Sequence, residues 1–131
     1  MNKKIIITGG ILGFLSVVIG AFAAHGLKAL ISAESIQTFE TGVRYQMYHA
    51  LLLLFIGGTS YLPEKKKAVI FYLVLIGVIL FSGSIYGLAT NNLTGFDFKT
   101  IGFVTPIGGL LMIVGWLIMI LSFFRLKSGK N

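Results

Sequence analysis

His25, Arg44, Tyr45, Gln46, His49, Tyr86 and Thr105 are the side chains here whose types and spacing could do chemistry. On a helix, Tyr45 and His49 (four apart) and Gln46 and His49 (three apart) share one face. Histidine is the commonest metal ligand, so His25 with His49 could hold a metal ion or a haem iron. No carboxylate stands near them to complete a ligand set, which makes them weak metal candidates. The same groups could grip a small ligand or a lipid head group. In the plainest reading they bond one another and fix helix register, with Arg44 and the tyrosines anchoring at an interface.

Other chemistries are missing their parts. With no cysteine in the chain there are no disulfides, thiolate metal ligands, iron–sulfur clusters or cysteine nucleophiles. No serine sits in a nucleophile elbow, no carboxylate pair is present, and no glycine-rich loop opens a soluble phosphate site. The expectation is a protein that is not an enzyme and carries no cofactor.

These residues must be positioned by an unusual frame. Uncharged stretches at 5–27, 45–63, 68–96 and 100–124 fill nearly all of the 131 residues. Each matches or exceeds the roughly 20 residues that a helix needs to cross about 30 Å of hydrocarbon. The hydrophobic fraction is 56%, the mean hydropathy is +0.92, and 11% of residues are charged, against about 25% in soluble proteins. A water-soluble fold this small could not cover four such faces. The fold class is therefore all-α: an integral membrane four-helix bundle forming one transmembrane domain over 1–131. Helices are expected at about 5–24, 45–62, 68–90 and 101–124. No Asp, Glu, Lys or Arg falls inside the spans, which argues against a proton pump or an ion-coupled transporter. A small channel or carrier stays open, since polar pores exist.

The net charge of +7 is a matter of topology rather than of nucleic-acid binding. With a cytoplasmic N-terminus, Lys3, Lys4, Lys65, Lys66, Lys67, Arg125, Lys127 and Lys130 fall on the inner side, eight of the eleven basic residues. Lys28, Arg44 and Lys99 fall outside, near Glu34, Glu40 and Asp97. That distribution predicts both termini in the cytoplasm of a bacterial inner-membrane protein. It also suits anionic lipid heads as partners.

The first segment imitates a secretory signal: MNKK, an apolar run, then Ala21-Phe22-Ala23. Its apolar run exceeds the usual 7–15 residues of a signal core, so a retained helix is expected. Between the first two helices, Ser32 is a plausible N-cap with Glu34 in the following turn. Ile36, Phe39 and Val43 recur at helical spacing, predicting a short amphipathic helix over about 33–43. Such a segment either lies at the outer interface or covers the top of the bundle. The outer ends of all four helices then deliver six of these polar side chains to one layer, with Arg44 just above it.

Glycine accounts for 17 residues, most of them inside predicted helices. In lipid, glycine lets backbones touch, and Gly9, Gly13, Gly20, Gly83, Gly87, Gly108 and Gly109 are the expected packing positions. Such faces could also join subunits, making a homo-oligomer or a membrane-protein partner possible.

Four blocks together, GAFAAHGLK (20–28), FETGVRYQMYHALLLL (39–54), LFSGSIYGL (80–88) and TPIGGLLMIVGW (105–116), resemble a family of small bacterial membrane proteins. That family is known as domain of unknown function 423, and it is related to the eukaryotic transmembrane protein 256. Ala23 stands where the family is expected to favour glycine, a small-for-small change. The resemblance implies a four-helix inner-membrane protein without supplying a reaction. It adds weight to His25, Gly42, Arg44, Tyr45, Gln46 and His49. The function expected is a structural, lipid-associated or accessory one. The alternatives are a ligand or metal protein using His25 and His49, and a small channel or carrier.

Overall fold

The computed structural model describes residues 1–126, so Lys127 and Lys130, counted above with the inner basic group, lie outside the described residues. Four long helices follow one another: α1 (Asn2–His25), α2 (Ala33–Gly58), α3 (Glu64–Ala89) and α4 (Val104–Phe124). Short 3-10 turns at Leu27–Ala29, Asn91–Leu93 and Phe98–Ile101 fill the connections at one end.

Local chemistry sets the boundaries. The Ser32 hydroxyl accepts the Ser35 N–H at 3.1 Å, capping α2 where the sequence places its cap. After Gly57-Gly58 the chain turns extended at Thr59, and Pro63 stands as the N-cap of α3. The expected second helix at 45–62 therefore stops four residues early. It also begins twelve residues early, because the amphipathic segment at 33–43 runs into it without a break. Ile36, Phe39 and Val43 pack with Ala23, Leu27, Ala89 and Tyr86, and that satellite core replaces lipid contact for the segment's apolar face. α4 starts at Val104 rather than 101, since residues 98–101 form a 3-10 turn capped by the Asp97 carboxylate.

α2 is the least apolar of the four, and only α1, α3 and α4 are long and apolar enough to be spans by composition. Geometry nonetheless requires α2 to cross. Lys67 at the start of α3 bonds Asn2 at the start of α1, and Lys4 bonds Tyr72 one turn further along. The two helices thus begin at the same end and run the same way. The chain must return between them, and α2, at about 1.5 Å per residue, is long enough to do so. Its buried polar side chains, Gln46 and His49, are kept from lipid by the neighbouring helices.

The helices pack in chain order, α1 on α2, α2 on α3 and α3 on α4. The main core, including Ile5, Leu53, Ile56, Ile70, Phe71 and Val74, is sealed from the surroundings. The outer surface is strongly apolar, with Phe14 at 68%, Ile113 at 63% and Phe124 at 81% exposure. In water such a continuous surface would drive association, whereas in a bilayer it is the lipid-facing coat.

Glycine controls the closest approach, between α3 and α4. A Cβ at Gly108 would lie 2.5 Å from the Phe81 amide nitrogen, and one at Gly77 would lie 2.9 Å from the Gly108 carbonyl oxygen. Gly9 plays the same part on α1, where a Cβ would meet the Ala50 carbonyl at 2.9 Å. Gly13 and Gly20 make looser contacts with α2, and Gly109 touches the Phe81 ring at ordinary distance. Gly87 makes room for the Phe98 ring rather than for a helix. Gly83 corrects the expectation: it is exposed, and a Cβ there would meet nothing within 4 Å. The Gly83–Gly87 spacing places both on one face, but only the Gly87 end is covered.

Candidate functional site

The expected single polar layer resolves into three separate ties between helices. Gln46 is the first. Its side-chain nitrogen donates to the Leu12 carbonyl of α1 at 2.9 Å, and its oxygen accepts the Tyr86 hydroxyl of α3 at 2.6 Å. One amide therefore joins three helices. Gly42, one turn earlier, permits the approach: a Cβ there would lie 2.8 Å from the Tyr86 ring. Its carbonyl also accepts the Ser82 hydroxyl at 2.8 Å.

His49 forms the second tie. Its Nδ1 lies 2.7 Å from the Tyr45 carbonyl, and its Nε2 lies 3.0 Å from Trp116 Nε1 of α4. A carbonyl can only accept and an indole N–H can only donate. The ring is therefore neutral, protonated at Nδ1, with Nε2 accepting from Trp116. Both ring nitrogens are occupied by protein. The Tyr45 ring stacks on His49 and tilts against Phe81, leaving a lateral groove of about 320 Å³ bordered by Tyr45, His49, Met112 and Trp116.

The third tie joins α3 to α4 through the Ser84 and Thr105 hydroxyls, 2.5 Å apart. Arg44 stays outside all three; it is exposed and donates to the Thr41 hydroxyl one turn back. His25 is exposed at the end of α1. The level of His49 on α1 is marked by Gly13, whose neighbours on α2 are Met47 and Ala50. His25 lies twelve residues further along, roughly 18 Å at helical rise. The alternative in which His25 and His49 share one metal or ligand is therefore not what the fold builds. His25 closes α1, whereas His49 lies beyond the middle of the antiparallel α2, nearer its Gly58 end. Among the described residues no three His, Cys, Asp or Glu side chains gather.

Lys67 is a polar residue that charge counting treats only as a topology signal. It is 2% exposed, and its ammonium donates to Asn2 Oδ1 and to the Thr59 carbonyl. The signal was available: Lys67 precedes Ile70, Phe71 and Val74 at helical spacing, on the stripe that forms the core. Ser82 and Trp116 were equally visible in the sequence, but nothing in their types alone marked them as bonding partners. Among the described residues no buried side-chain nitrogen or oxygen lacks a hydrogen-bond partner. What this arrangement does chemically is lock helices in register. Among the described residues no buried side-chain polar atom is left unpaired to face a ligand.

Comparison with known proteins follows the same lines. A family model described as protein of unknown function (DUF423) matches residues 19–109. The UPF0382 membrane protein of Staphylococcus haemolyticus is 42% identical over 123 residues, covering 94% of this chain and 97% of the relative. The UPF0382 inner membrane protein YgdD of Escherichia coli K12 is 35% identical over 130 residues, covering 96% and 93%. YwdK of Bacillus subtilis, also a UPF0382 membrane protein, is 35% identical over 125 residues, covering 92% and 95%. No solved structure matches the chain.

Proposed function

The chain belongs to the DUF423 family of membrane proteins, and on that premise we propose that it is a non-enzymatic, multi-pass bundle with a structural or lipid-associated role. The observation that carries this reading is that, among the described residues, every buried polar side-chain atom is paired within the bundle. A site built to act on a ligand keeps polar groups directed at it, whereas Gln46, His49, Ser82 and Lys67 are directed at neighbouring helices. The cytoplasmic membrane is its proposed location, supported by the inner-membrane name of the Escherichia coli relative. The basic end carrying Lys3, Lys4, Lys65, Lys66 and Arg125 faces the cytoplasm in this proposal, with membrane lipids as the principal partners.

Elemental analysis and a visible spectrum of protein purified from membranes test the reading. No stoichiometric metal and no chromophore are expected. A metal or Soret band present in the wild type and lost in His49→Leu would overturn it. One observation favours a second reading. The groove beside His49 and Trp116 opens sideways and is lined by aromatic and apolar groups, which suits a small lipid-soluble ligand rather than the His25–His49 pair.

A further inference from the structure

The basic end of the bundle contains a second hollow, unconnected with the interhelical ties. It lies between the turn joining α2 to α3 and the last turn of α4, and encloses about 510 Å³. Lys66 and Arg125 contribute two cations to its lining and Ser60 and Tyr61 contribute hydroxyls, while the Ser122 hydroxyl, also in the lining, donates to the Ile118 carbonyl. Glu64, the acid in the first turn of α3, is not part of the lining. Two cations and two hydroxyls lining one hollow favour an anionic oxygen-rich group.

The neighbouring surface indicates what that group is attached to. The Tyr61 ring meets Phe123 edge-on, with centroids 6.4 Å apart. Phe123 in turn lines an apolar groove of about 360 Å³ with Met119, Ile120 and Phe124, on the lipid-facing side of α4. A polar, cationic hollow therefore stands beside an apolar groove that runs toward the membrane interior. Free phosphate would use only the first. A lipid would use both, and basic pockets between membrane helices are the sites where anionic head groups bind.

We propose that Lys66, Arg125 and the hydroxyls of Ser60 and Tyr61 bind the phosphate head of an anionic glycerophospholipid, with an acyl chain along Phe123. This deepens the lipid-associated reading above and rests on it only for the membrane setting. The test uses the full chain in detergent, titrated with short-chain phosphatidylglycerol and, separately, phosphatidylcholine, with bound lipid counted by native mass spectrometry. One cation near an anionic lipid surface is worth about fivefold in binding, so Lys66→Gln and Arg125→Gln should each weaken phosphatidylglycerol about fivefold, and the pair roughly 25-fold. Lys65→Gln, on the same turn but outside the lining, should leave binding unchanged. Excess inorganic phosphate should fail to displace the lipid.

Equal losses in Lys65→Gln and Lys66→Gln would mean diffuse surface charge and would overturn the site. Equal binding of phosphatidylcholine would do the same. Full displacement by inorganic phosphate would replace the lipid with a free-anion site. None of these outcomes touches the interhelical ties, so the bundle reading stands or falls separately.

Discussion

Gln46→Leu is the most direct test of how the bundle is held. Leucine keeps most of the volume of glutamine and removes both interhelical bonds, one to the Leu12 carbonyl and one from the Tyr86 hydroxyl. Interhelical hydrogen bonds in membranes average about 0.6 kcal/mol, with about 1.7 as the upper end. Two bonds thus predict a loss of roughly 1.2 kcal/mol, with a ceiling of roughly 3.4. The two halves are unequal. The Leu12 carbonyl keeps the Ser16 hydroxyl, which donates to it at 2.9 Å, whereas the Tyr86 hydroxyl has no other partner among the described residues. Most of the loss should therefore disappear when Tyr86→Phe is made as well. Reversible unfolding in mixed micelles, run on both single variants and the double, gives the coupling directly. The double variant should be no less stable than Gln46→Leu alone. Strict additivity of the two losses, or a Gln46→Leu as stable as lipid-facing Phe14→Leu, would refute the reasoning.

Other outcomes follow from the same geometry. His49→Leu should lose about 0.6 kcal/mol or somewhat more through the Trp116 bond, while His25→Leu should be neutral, both read by thermal unfolding in detergent; equal losses would restore a shared cluster. Gly108→Ala should cost about 1–3 kcal/mol because its Cβ lands on the Phe81 backbone, whereas Gly83→Ala should be neutral or mildly stabilising. Lys67→Met keeps the buried stem but releases Asn2 and Thr59, so hydrogen exchange at the start of α1 should quicken while the α3–α4 pair is unaffected. Reporter fusions at Lys67 and at Asn131, which lies outside the described residues, should both read cytoplasmic, and one at Asn92 should not; an external C-terminus would invalidate the proposed orientation.

The number and order of the helices were legible in the sequence, whereas the depth of the polar groups and the rotation of the helices were not. Apolar runs identify each helix, although α2 begins twelve residues before its run, and the Gln46–His49 spacing puts two polar groups on one buried face of α2. Which helix each group meets depends on how neighbours are turned about their axes. One face of α2 therefore serves Leu12 and Tyr86 at Gln46 but Trp116 at His49. The same limit explains Gly83, whose spacing from Gly87 identifies a face without saying what covers it. Lys67 was overlooked because a run of three lysines reads as one charged turn, although only the third lies on the core stripe. The break between the amphipathic segment and the second span was expected because charge ends at Arg44, but a helix needs no apolar continuity to propagate. Its hydrogen bonds are backbone bonds, and the chain from Ala33 to Gly58 contains no proline to interrupt them.

The central position of α2 has a consequence for how the molecule is made. Synthesis delivers α2 to the bilayer before Ser82, Tyr86 and Trp116, the residues that satisfy Gly42, Gln46 and His49, have been translated. Alone beside α1, this helix would leave the Gln46 side-chain oxygen and His49 Nε2 without partners in hydrocarbon, where polar groups are costly. Its stable insertion therefore waits for α3, which supplies two of the missing partners and the returning strand of the hairpin. A nascent chain halted shortly after Pro63 should leave α2 loosely held and open to chemical labelling from the aqueous side. One extended through Ala89 should close it off, so the order of birth of the helices becomes part of what the protein encodes.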